Sequence, residues 1–173
     1  MTVGILDQAG LFTKYFRTNL PAGFDAGLQL IVVSGPESLD GLSLDLLAVA
    51  PDLRSGRWEE DFHLSCRLLL LPGTAASLAR RLHAASVVSY GSSPRDTLTI
   101  SSLETGKIVV ALQRDLITAQ NSLVEQQELI LPLRGTVPPL FFLACAGLLL
   151  LLGISPEALD LYPPRDTSVP IPH

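Results

Sequence analysis

Apolar and polar positions along this chain fall into blocks that read as strand, helix and strand. Thr2–Leu6 is a short apolar run closed by Asp7, after which Leu11, Phe12, Tyr15, Phe16 and Leu20 share one helical face while Lys14, Arg17 and Asn19 look away from it. Pro21 follows that helix. Residues 28–33 are a nearly continuous apolar run rich in β-branched side chains and bounded by Ser34-Gly35-Pro36, the pattern of a parallel strand covered on both faces. Residues 43–50, with Leu44, Leu46, Leu47 and Val49 ended by Pro51, suit a short buried strand or a helix turn and are read as a strand.

The clearest unit is 67–91. Leu68, Leu69, Leu70 and Leu71 form an apolar strand, Pro72-Gly73 a turn, and Thr74 opens a helix in which Ala75, Leu78, Ala79 and Leu82 take i, i+3, i+4 and i+7. Arg80, Arg81 and His83 lie near that helix's C-terminal end, where its dipole favours cations. A second strand, Val87-Val88-Ser89-Tyr90, stops at Gly91. Beyond it the period changes to alternation: Leu98 and Ile100 face one way, Thr97, Thr99 and Ser101 the other, Glu104-Thr105-Gly106 turns, and Ile108, Val110 and Leu112 share a face. Residues 128–133 extend this hairpin into a meander. The fold class expected is therefore α/β, a Rossmann-like three-layer sandwich whose sheet is mainly parallel, with an antiparallel hairpin or meander after residue 91. Residues 1–160 read as one domain and 161–173 as a Pro-rich, poorly ordered tail.

One stretch admits two readings. Residues 137–154 carry no charge, with Pro138 and Pro139 suited to a helix start and Gly153 to its end. The helix is just short of the roughly 20 residues that span a bilayer. Flanked by Arg134 on one side and Glu157 and Asp160 on the other, it suits a C-terminal tail anchor; buried, it supplies the helical layer that a parallel sheet needs. Burial is the leading reading and a membrane-tethered domain the alternative.

Composition sharpens this. Hydrophobic residues are 47% of 173 and charged residues only 17%, which demands a large two-sided core or a membrane segment. Twelve Lys+Arg against seventeen Asp+Glu give a net charge of -5, with basic residues scattered apart from Arg80-Arg81, so nucleic acid is not an expected partner. Cys66 and Cys145 lack Cys-x-x-Cys spacing and sit among apolar residues: buried, reduced thiols, fitting a cytoplasmic location. The first residues show no signal-peptide pattern. The polar residues 52–61, with Arg54, Arg57, Trp58, Glu59 and Glu60 around Gly56, read as a solvated connection or a partner-contacting loop.

Open parallel sheets hold ligands beyond the carboxyl ends of their strands. Those ends offer Asp7, Ser34, Gly73, Thr74, Tyr90 and Ser92, and the polar cluster of Ser93, Arg95 and Asp96 follows. Thr74 at a helix start is an ordinary N-cap or an anion site, and Arg95 either pairs with Asp96 in a turn or holds a carboxylate or phosphate. His63, His83 and His173 are isolated, with no Gly-x-Ser-x-Gly and no metal-ligand spacing, so neither a metal nor another cofactor is expected.

From Ser86 onward the chain resembles the later part of the central domain of the Mur ligases, ATP-dependent enzymes that add amino acids to peptidoglycan precursors. Ser86-Val-Val-Ser-Tyr-Gly91 is similar to that family's strand ending in Tyr/Phe-Gly, Leu131-Pro-Leu-Arg-Gly135 to its short strand ending in glycine, and residues 144–159, closing in Leu-Gly-Ile-Ser-Pro-Glu-Ala-Leu159, to its alanine-rich helix and Leu-Gly-Ile turn. The Ser-Tyr-Gly strand is also similar to one in bacterial proteins of this size. The resemblance implies nucleotide chemistry that this chain lacks residues for. No Gly-x-x-Gly-Lys-Ser/Thr loop occurs, Gly106-Lys107 is followed by Ile108 between hairpin strands, and Gly135 leads into Thr136-Val137-Pro138-Pro139 where the family carries His-Asn. The function expected is a non-catalytic, Mur-ligase-like binding or structural domain for a protein or small anionic ligand. The alternative is an enzyme using Asp7, Arg95 and Asp96 at the sheet edge.

Overall fold

The computed structural model describes residues 1–53 and 63–164. In chain order the elements are β1 (Thr2–Leu6), α1 (Leu11–Asn19), β2 (Gln29–Val33), β3 (Ser43–Val49), β4 (Ser65–Pro72), α2 (Ala76–Ala79), β5 (His83–Gly91), β6 (Leu98–Glu104), β7 (Lys107–Leu112), β8 (Leu116–Ile117), β9 (Leu123–Val124), β10 (Gln127–Pro132) and α3 (Pro139–Leu151). Eight strands make one sheet in the order β10-β7-β6-β5-β4-β3-β1-β2, while β8 and β9 form a separate small hairpin. Pairing is parallel from β2 to β6 and antiparallel across β6, β7 and β10. The protein is an α/β, Rossmann-like sandwich with the expected meander.

Strand order decides which face each connection covers. The chain moves one way from β1 to β2 and the other way through β3, β4 and β5, and right-handed crossovers then put α1 on one face and α2 on the other. After the meander α3 returns to the face of α1, where Phe12 meets Phe141 edge-on at 6.4 Å between ring centroids. The ten residues Phe142 to Leu151 are all buried, because α3 packs against the sheet and α1 and shares one apolar cluster with Leu116, Val124, Leu159 and Leu161. Gly147 allows the close approach: a Cβ there would lie 2.7 Å from Leu98 Cδ1. At its C-terminus Gly153 adopts φ 92°, and its N–H donates to Leu150 O while the Ile154 N–H donates to Leu149 O, a Schellman closure.

Of the two readings of 138–154, the structure shows the buried helix. No described helix is long and apolar enough to cross a bilayer. The 13 residues of α3 span about 20 Å against a hydrocarbon core of about 30 Å.

Three other expectations need correction. β2 is an edge strand whose residues are at most partly buried, not a strand covered on both faces, because β1 rather than β2 lies inside the sheet. The helix after Pro72 shrinks to the 3₁₀ turn Gly73–Ala75 and four residues of α2; residues 80–82, with Leu82 of the apolar spacing, form a turn, and β5 then pairs along all of β4, from His83 beside Ser65 to Tyr90 beside Pro72. His83 is therefore exposed on a strand, and Arg80 and Arg81 are exposed after a helix too short to present much of a dipole. Leu11 is 58% exposed although its spacing places it with Phe12 and Phe16. The segment 54–61 and the tail from Arg165 lie outside the described residues.

Candidate functional site

Asp7 follows directly on β1, and its own N–H is bound by Val33 O at 2.9 Å, so its carboxylate turns into the start of α1. Oδ1 accepts the Gly10 N–H at 2.9 Å, and Oδ2 accepts both the N–H and the hydroxyl of Thr13 at 2.7 Å. Gly10, at φ 72°, bends the chain so that these donors converge. Asp7 is 3% exposed and answers the free N–H groups of the helix's first turn.

Asp96 does the equivalent work between β4 and β5. The turn of residues 93–96 closes when the Asp96 N–H donates to Ser93 O at 3.0 Å and the Ser93 N–H donates back to Asp96 Oδ2 at 3.2 Å. The buried carboxylate then lies on Gly73 and Gly91, and a Cβ at either glycine would collide with it. Gly73 is thus required for room beside Asp96. Tyr90, fully buried, donates from its hydroxyl to Val49 O at 2.6 Å and ties the end of β5 to β3 across β4. Burial, then the charge of Asp52, pushes its pKa well above the ordinary phenol value.

The remaining sequence candidates are exposed. Thr74 lies inside the 3₁₀ turn and makes no side-chain cap bond, contrary to the N-cap expected of it. The expected Arg95–Asp96 pair is not among the ion pairs of the described residues; the Arg95 carbonyl instead accepts from Arg114 Nη2 at 2.9 Å. Ser92 is solvent-facing, and Ser34, at the end of the edge strand β2, is separated from the β4–β5 cluster by β1 and β3. Gly73, Tyr90 and Asp96 come together; Asp7, Ser34 and Arg95 do not join them. Three clefts bounded by described residues are lined by none of these side chains. Among the described residues no cluster of His, Cys, Asp and Glu has metal-binding geometry.

Two features escaped the sequence reading. Asp52 follows β3 where the order of β1 and β3 reverses the direction of winding, and its Oδ1 is buried with no hydrogen-bond partner among the described residues. Its signal was its place straight after Ala50-Pro51, the end of a buried strand. The second is a cleft of about 530 Å³ between α1 and the beginning of α3. Its walls include Leu11, Lys14, Val137, Pro138, Phe141 and Pro163, drawn from three separated segments. Gly135, at φ 66°, brings the loop before α3 to 3.0 Å from Pro163 Cγ, measured from the position a Cβ would take, and closes one end.

That cleft lies toward the strand C-termini. Arg67, near the start of β4, donates through Nη2 to Ala119 O, and the Ala119 N–H donates to Leu151 O at 2.7 Å, so the end of α3 sits over the strand N-termini and its beginning over the opposite edge. Gln120 Nε2 adds a bond to Leu152 O at 2.7 Å. A scan against protein-family models and a search of curated proteins matched nothing.

Proposed function

We propose that this protein is a non-catalytic binding domain of Mur-ligase-like descent, which takes a small ligand or a protein partner toward the C-terminal end of its parallel strands. One observation carries the reading. Two carboxylates at that edge are engaged by the chain itself, Asp7 by three donors and Asp96 by the Ser93 N–H and its seat on two glycines, while an apolar cleft between α1 and α3 stays open. Residues so held stabilise loops and are poorly placed for acid–base work. Descent rests on the order of features from Ser86 to Leu159, in which a Tyr-Gly strand gives way to hairpins and then to an apolar helix.

Calorimetric titration with magnesium-ATP, followed by a phosphate-release assay, tests both halves. The expected result is neither heat of binding nor turnover. Turnover that survives Asp7→Asn and Asp96→Asn would place chemistry elsewhere in the chain, and turnover abolished by either would restore the enzyme reading; both end this proposal.

A further inference from the structure

The cleft between α1 and α3 has a chemistry more specific than a generic hydrophobic groove. Its volume of about 530 Å³ falls among those of small-molecule sites, and Pro138 and Pro163 stiffen its walls. Leu11, 58% exposed, is the conspicuous apolar side chain of α1 that the core does not cover, and it stands on this wall with Val137 and Phe141. Lys14, one turn along α1, is the only charged residue among the described residues that line the cleft, and the ion pairs among the described residues do not include it. Asp7, before the start of the same helix, is occupied by Gly10 and Thr13. Among the described residues the cleft offers an apolar bed, one ammonium outside the ion pairs and no carboxylate, which complements a molecule of opposite design.

We propose that this cleft binds a small apolar acid, an aromatic or branched aliphatic body carrying one anionic group, with the body on Leu11, Val137 and Phe141 and the anion on the Lys14 ammonium. The assignment rests on the reading of the protein as a binding domain and adds its ligand class. A neutral ligand leaves Lys14 without a role in the site. A dianion lacks a second cation among the described lining residues.

Two probes with a common ring skeleton separate the class from the site. Anilinonaphthalene sulfonate is anionic and phenylnaphthylamine neutral, and each is titrated into the full chain while the methyl signals of Leu11 and Val137 are followed by NMR. Wild type should bind the sulfonate roughly fivefold more tightly than the amine, the scale of one solvent-accessible ion pair. Lys14→Gln should erase that preference without weakening the amine, Lys14→Arg should keep it, and Leu11→Glu should weaken both. Equal binding of the two probes, unchanged in Lys14→Gln but lost in Leu11→Glu, overturns the acid class and leaves the cleft as a binding site. No movement of the Leu11 and Val137 methyls with either probe overturns the cleft itself. Because Lys14 and Leu11 are exposed, circular dichroism of all three variants should match wild type and keep unfolding out of the comparison.

Discussion

On one face of the sheet α1 and α3 lay a full helical layer over strands from β1 to β10, and the apolar cluster beneath includes Phe12, Phe16, Leu70, Tyr90, Leu98 and Phe142. On the other face a 3₁₀ turn at Pro36–Leu39 and the single turn of α2 cover a smaller cluster around Leu39, Leu69, Leu71 and Leu78. Coverage runs out there at β5, where Val87 is 46% exposed although its parallel neighbour Leu69 is fully buried. The difference teaches where the chain's unusual apolarity is used. An uncharged helix such as α3 is stable only when surrounded on all sides, which the deep face provides. Among the described residues the shallow face is met by short helical turns, and these cover its leucines without a continuous helical layer. The candidate cleft belongs to the deep face, where α1 and α3 leave a gap between them.

Adjacent leucines of β4 put this to the sharpest test, since pleating sends Leu70 to the deep face and Leu71 to the shallow one, both almost wholly buried. Leu70→Ala should cost about 4 kcal/mol and Leu71→Ala about 2, within the span observed for buried leucines, because α3 is pinned by Gly147 against the sheet while one helical turn can settle into a cavity. Urea unfolding of the two variants measures it. Equal costs would mean that both faces are packed with the same rigidity.

The helix starts differ in the same sense. Asp7→Ala removes the acceptor for the Gly10 N–H and for both donors of Thr13, and should cost about 2 kcal/mol through buried donors left unpaired. Thr74→Ala removes no cap bond and should stay within about 0.5 kcal/mol of wild type. A large loss at Thr74 would show that the shallow layer depends on a contact absent from this arrangement.

Much of the fold was legible because its signals are local. Runs of Leu, Ile and Val bounded by Gly and Pro marked the strands, Glu104-Thr105-Gly106 marked the hairpin turn, and the absence of charge from 137 to 154, with a sheet to cover, marked a buried helix. What could not be read depends on partners far along the chain. Residues 29–33 are as apolar as a central strand, and only the order of strands makes them an edge. The length of α2 depends on the register between β4 and β5. Arg67 interrupts an apolar strand for a reason that lies at Ala119 and Asn121, whose groups its guanidinium binds. The candidate site divides in the same way. Asp7, Tyr90 and Asp96 were visible as polar groups at strand ends, but their engagement by Thr13, Val49, Gly73 and Gly91 is tertiary. The cleft, assembled from residues near 14, 138 and 163, has no local signature at all.

The mildest probe of the two faces leaves the sequence intact. Cys145 is fully buried in α3 beneath the deep layer, while Cys66 is 5% exposed within the shallow cluster. Burial raises both thiols, pushing Cys66 up to about 11, so at pH 8 only about one molecule in a thousand carries its thiolate in the folded state. Ordinary thiols titrate near 8.5, so raising the pH ionises both cysteines in the unfolded chain before the folded one. Their contribution to stability is intact below that value and is lost progressively as pH climbs toward 11. Reaction with an aromatic disulfide reagent at pH 8 therefore reports openings of each face. Cys66 should label first, through local opening of the thin layer, and faster as the pH is raised, whereas Cys145 should wait for global unfolding and follow its rate in urea. Simultaneous labelling of the two thiols would mean that the faces open as one cooperative unit, and the contrast between them would then be one of geometry alone.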